Sequence, residues 1–147
     1  MNKKQYTIAV IDGQGGSLGK TLVKRIKKEF PRLFILAIGT NSIATSNMLT
    51  GVPDAIATGE NPVIVGARKS NIIIGAIGII IADALHGEIT AKMASAIGAS
   101  EAHKILIPIS KCNTSIAGTE KIGLENLIKD CMELIKNQLI EKDITLI

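Results

Sequence analysis

Five short aliphatic runs alternate with helix-period segments along the chain, and this alternation constrains the fold more than any other feature. The runs cover residues 7–11, 33–38, 55–57, 71–74 and 104–109. They are rich in β-branched residues and apolar on both faces, as strands covered from above and below must be. Helical spacing follows the first run to Phe30, with Leu18, Leu22, Ile26 and Phe30 on one face and Pro31 as the stop. Further helices are predicted over 42–49, opened by Asn41 or Ser42 as N-cap, and over 61–69, with Pro62 in the first turn. The segments 77–86 and 90–97 also read as helical, the second capped by Thr90. The clearest amphipathic helix spans 123–139, with Leu124, Leu127, Ile128, Cys131, Ile135 and Leu139 on its buried stripe. Residues 144–147 read as a last edge strand or a swapped tail. Strands and helices in alternation imply a parallel sheet with helices on both faces. With right-handed crossovers this is an α/β fold: a three-layer, Rossmann-like, doubly wound parallel sheet of about five strands in one domain, residues 1–147. Short crossovers after the first strand favour the order 3-2-1-4-5, with 2-1-3-4-5 as the alternative.

Composition narrows the partners. Trp is absent, and Tyr6, Phe30 and Phe34 are the only aromatics, which argues against stacking platforms for single-stranded nucleic acid. Much of the net charge of +4 comes from Lys3, Lys4, Lys20, Lys24, Arg25, Lys27 and Lys28, read as a solvated helix face rather than a polyanion site. The longest apolar stretch, 72–82, has 11 residues, against the roughly 20 that a bilayer span needs. No signal peptide is expected before the first strand. A cytoplasmic protein with no nucleic-acid or membrane partner is expected. Cys112 and Cys131 form neither a disulfide framework nor a metal motif.

The first strand runs directly into Asp12-Gly13-Gln14-Gly15-Gly16-Ser17-Leu18-Gly19. A strand, a glycine-rich turn and a helix in that order make an anion cradle, because bare N–H groups and the helix dipole face the turn. Gly13, Gly15 and Gly19 spell GxGxxxG, one residue longer than the dinucleotide fingerprint, which would need glycine in place of Leu18. The fingerprint also wants an acid at the tip of the second strand, which here ends in Gly39-Thr40-Asn41 with neither carboxylate nor arginine. Gly19-Lys20-Thr21 resembles the end of a P-loop, but that motif would need glycine at Gln14. A general phosphate or carboxylate cradle survives both departures, with a nucleotide or NAD(P) as the cofactor class it suits.

In such sheets ligands bind beyond the carboxyl ends of the strands. Those ends carry Gly13, Gln14, Gly15 and Gly16; Thr40, Asn41 and Ser42; Thr58, Gly59 and Glu60; and, after the fifth strand, Asn113. All are candidate ligand-binding residues. Glu60 and Arg68 flank a short helix as site groups or as a surface pair. Asp12 is suited to binding a ribose, an amine or a hydrated Mg²⁺, or to capping the turn. Asp83 and His86, three residues apart on the helix expected at 77–86, would share a face as an acid/base pair or half a metal site. Cys112, at the rim beside Lys111, is the candidate nucleophile. Cys131 is expected to be inert. No metal site is expected.

The segments Ile11-Asp12-Gly13-Gln14-Gly15-Gly16, Gly39-Thr40-Asn41-Ser42-Ile43-Ala44-Thr45-Ser46 and Ala57-Thr58-Gly59-Glu60-Asn61 resemble a family of short bacterial proteins, domain-of-unknown-function family 3842. So do Ile79-Ile80-Ile81-Ala82-Asp83, Gly87-Glu88-Ile89-Thr90 and Ile105-Leu106-Ile107-Pro108. The resemblance implies a small Rossmann-like protein and implies no activity. Two readings follow. One is a small phosphorylated ligand on the glycine turn, with Asp12, Asp83, His86 and Cys112 as the catalytic candidates if the protein is an enzyme. The other is a non-catalytic homo-oligomer, motivated by the small residues among isoleucines in 75–82.

Overall fold

The computed structural model describes residues 5–109, 113–119 and 121–145. Its sheet is built from β1 (Thr7–Asp12), β2 (Phe34–Gly39), β3 (Ala55–Thr58), β4 (Ile72–Ala76) and β5 (His103–Ile107). All pairings are parallel, in the order β3-β2-β1-β4-β5. The helices are α1 (Ser17–Glu29), α2 (Ser42–Leu49), α3 (Glu60–Lys69), α4 (Ala91–Gly98) and α5 (Leu124–Glu141).

The period of two along β1 splits the core. Ile8 and Val10 point to one face with Leu22, Val23 and Ile26 of α1, Met48 of α2 and Ile135 of α5. Ala9 and Ile11 point to the other with Val63 and Ala67 of α3 and Met93 and Ile97 of α4. Three layers result, with β1 at the centre. Ile72, Ile73 and Ile74 are all fully buried, since β4 lies between β1 and β5 and is covered on both sides. Burying each such side chain is worth about 1.5–3 kcal/mol. The cap expected for α4 is formed, with Thr90 Oγ1 accepting from the Met93 N–H at 3.1 Å. Asn41 caps α2, its Oδ1 accepting from the Ala44 N–H at 2.8 Å.

One element differs from expectation. Residues 77–86 do not form a helix. A single 3-10 turn, Ile77–Ile80, is followed by a chain of tight turns to Ile89. Asp83, Leu85, His86 and Gly87 all have positive φ, which a right-handed helix cannot accommodate. The backbone bonds instead close a compact loop: Asp83 N–H to Ile89 O, Gly87 N–H to Asp83 O, and Ile89 N–H to Ala84 O. Ala84 and Ile89 are buried and anchor it. The β-branched run Ile79-Ile80-Ile81 has low helix propensity, and nothing caps it as a helix. Asp83 and His86 therefore do not share a helix face, and no exposed apolar helix arises from 75–82. At the other end, Ile144 packs on the core outside any strand, and residues 146–147 lie outside the described residues. No helix among the described residues is long and apolar enough to cross a membrane.

Candidate functional site

The sheet order reverses between β1 and β4, because β1 leads through α1 to β2 on one side while β4 joins it on the other. Helices leaving on opposite faces open a crevice at that point. A cleft of about 370 Å³ lies there. Asp12 and the turn to Leu18 form one wall, with Ala76, Gly78, Leu85 and Leu124 opposite.

The turn is built by Asp12. Its carboxylate accepts from the Gly13 N–H at 2.8 Å and from the Gly19 N–H at 2.7 Å, tying the end of β1 to the first turn of α1. Burial raises its pKa above the ordinary carboxylate value. The two backbone bonds oppose that rise, and the nearby charge of Glu88 adds to it. Both oxygens of Asp12 are thus engaged in the capping role. The N–H groups of Gly15, Ser17 and Leu18 have no hydrogen-bond partner among the described residues. They stand at the positive end of a 13-residue helix, on the cleft wall.

The glycines of the turn divide by cause. A Cβ on Gly13 would meet the Thr40 hydroxyl at 2.7 Å, and one on Gly19 would strike the Met48 side chain. Gly16 takes φ 74° against the α2 backbone. Packing accounts for these three. Gly15 has no positive φ, is exposed, and has nothing within 4 Å of an added Cβ. The fold does not require glycine at position 15; close approach of a ligand would.

Glu88, for which no role was expected, joins the glycine turn to the tip of β2. Its Oε1 accepts from the Gln14 N–H at 3.0 Å, from the Thr40 hydroxyl at 2.8 Å and from the Asn41 side-chain amide. Desolvation raises its pKa, but these three bonds and the neighbouring His86 outweigh it, so the carboxyl is held below its ordinary range. Thr40 and Asn41 therefore hold Glu88 rather than lining the cleft. Asn41 also donates to Gln14 O at 3.1 Å.

The other candidates are dispersed. Gln14, Asp83, His86 and Asn113 line a second recess of about 420 Å³ beside the cleft. Ser42 is the exposed first residue of α2. Thr58 shares a 2.7 Å hydrogen bond with Thr45, and Gly59 and Glu60 open α3 at the far edge, away from the cleft. Glu60 makes no ion pair with Arg68. Cys112 lies outside the described residues. Cys131 is buried on α5, its thiol pushed up to about 11 by burial first and by Asp130 second. Among the described residues no group of three or more His, Cys, Asp or Glu side chains is placed to hold a metal ion.

The sequence model of a family described as a domain of unknown function (DUF3842) matches residues 7–140, which span every strand and all but the last residue of α5. No curated protein and no solved structure matches the chain.

Proposed function

The chain belongs to the DUF3842 family, whose description assigns no activity, and we propose that it binds a nucleotide, dinucleotide or phosphorylated metabolite with the anionic group on the glycine turn. The observation that carries this reading is Gly15. It is the turn glycine for which neither φ nor packing gives a reason, and its own N–H is unpartnered, with those of Ser17 and Leu18, on the wall of the switch-point cleft. Backbone N–H groups at a helix N-terminus suit phosphate oxygens, and a side chain at position 15 would keep those oxygens out.

Native mass spectrometry of the purified protein, followed by denaturing mass spectrometry of the same sample, tests the reading. A non-covalent adduct of nucleotide mass is expected, lost on denaturation and absent in Gly15→Val. Pyrophosphate titrated by calorimetry gives the same comparison with a defined probe. Equal pyrophosphate binding by a folded Gly15→Val protein removes the cradle.

A second reading, self-association, has its own support. Ile43 and Val52 are 71% and 67% exposed, and Leu49 and Ile56 are exposed as well. They lie on α2, on the turn after it and on the edge strand β3. From Leu33 to Pro53 the sequence carries no charge, and Asp54, which follows it, is paired with Lys27. The two readings are compatible.

A further inference from the structure

Dinucleotide-binding sheets place an acid at the tip of the second strand, where it accepts hydrogen bonds from the ribose hydroxyls. β2 ends in Gly39-Thr40-Asn41 and lacks one. The loop after β4 delivers a carboxylate to that place from elsewhere in the chain. Glu88 crosses over Gly13 and is held at the tip of β2 by Thr40 and Asn41. All its hydrogen bonds fall on Oε1, and Oε2 accepts none among the described residues. The unpartnered N–H groups of Gly15, Ser17 and Leu18 follow directly on the same turn, so a phosphate seat and a carboxylate acceptor adjoin.

We propose that Glu88 is the ribose receptor of this site, and that the ligand is a dinucleotide whose ribose at this position keeps both hydroxyls free. The proposal rests on the anion-cradle reading above. An ionised carboxylate only accepts hydrogen bonds, and ribose hydroxyls donate them. The groups hydrogen-bonded to Glu88 are all uncharged and it forms no ion pair among the described residues, so its negative charge remains at the β2 tip, with Asp12 and His86 nearby. A phosphate on the 2′-oxygen would be set against that charge with no arginine to receive it. Glu88 is also a fixed group rather than a movable latch. Its loop is closed by its own backbone bonds, including Glu88 N–H to Leu85 O, and is anchored by buried Ala84 and Ile89.

The test titrates NAD and NADP, which differ by the 2′-phosphate, into the full chain and into Glu88→Gln by calorimetry. The parent protein is expected to bind NAD about tenfold or more tighter than NADP. Glu88→Gln keeps an oxygen for the three donors but turns the other acceptor into a donor, so the ratio is expected to fall to about threefold or less. Equal affinity for the two ligands in the parent, or an unchanged ratio in Glu88→Gln, overturns the proposal. A purely structural staple would weaken both ligands alike. Failure of both dinucleotides to bind also overturns it. Pyrophosphate binding that is lost in Gly15→Val would then leave the cradle standing, and no pyrophosphate binding would remove both.

Discussion

Replacing Gly16 with alanine separates what the backbone needs at the turn from what a ligand needs. At φ 74° an L-residue costs about 1–2 kcal/mol. The added Cβ would lie 2.6 Å from the Ala44 carbonyl oxygen and 2.8 Å from Ala44 Cα. Both are backbone atoms of α2, so relief means pushing α2 away from the turn, an overpacking of about 1–3 kcal/mol. Alanine also restricts the unfolded chain, which returns about 0.4–1 kcal/mol. The net expectation is a loss of about 3 kcal/mol. For a domain of this size that lowers Tm by about 6–12 °C. Gly15→Ala is the control, because its Cβ meets nothing within 4 Å. Its Tm is expected to stay within about 2 °C of the parent. Since the chain has no Trp, circular dichroism at 222 nm with urea and heat is the suitable assay. A Gly16→Ala protein as stable as the parent, or a Gly15→Ala protein that loses as much as Gly16→Ala, refutes the division of the turn glycines by cause.

Asp54 gives a pH prediction. Desolvation raises its pKa, but the Lys27 ion pair at 2.7 Å and the Ile35 N–H outweigh it, so the folded value lies below the unfolded one. Its stabilisation is therefore full above the ordinary carboxylate pKa of about 4 and is lost as pH falls through the lowered value. Asp54→Asn should shrink the gap to the parent as urea midpoints are followed from pH 6 to pH 3, and a constant gap would contradict the assignment. Cys131, with its thiol pushed up to about 11, should resist a disulfide reagent at pH 8 until the protein unfolds, and labelling of this residue in the native protein (read by peptide mapping) would contradict its burial. If copies associate through the uncharged side, Ile43→Asp with Val52→Asp should lower the sedimenting mass without lowering Tm, and an unchanged mass would remove that surface from the interface.

The sheet was legible because its signals are local. Strands rich in isoleucine have period-two burial on two faces, Pro31 stops α1, and Thr90 and Asn41 are caps that bond within three residues. The strand order was legible because short crossovers keep successive strands adjacent. The Asp12 cap could also be read, since its partners Gly13 and Gly19 lie within the same turn. The loop from Ile81 to Ile89 could not. Positive φ at Asp83, Leu85 and His86 has no compositional mark, whereas the apolar run around them imitates a buried helix. Glu88 was the larger omission. Its partners Gln14, Thr40 and Asn41 stand 74, 48 and 47 residues away, and only the packed sheet brings them together. The missing acid at the tip of β2 was the available clue: it marked a vacancy that a distant residue could fill.

The bond from Glu88 to Gln14 also bears on the order in which the molecule can become complete. It ties the loop leaving β4 to the turn leaving β1, across 74 residues of chain. A chain that has reached only β3 already owns the glycine turn and its exposed N–H groups. It has neither the carboxylate at the β2 tip nor the Ala76–Gly78 wall of the cleft. Such non-local closures form late, because the entropy of the intervening segment must be overcome before the contact forms. The first half of the chain is thus an unfinished receptor, and a growing polypeptide acquires the Glu88 carboxylate only after β4, and the Leu124 side of the cleft only with α5.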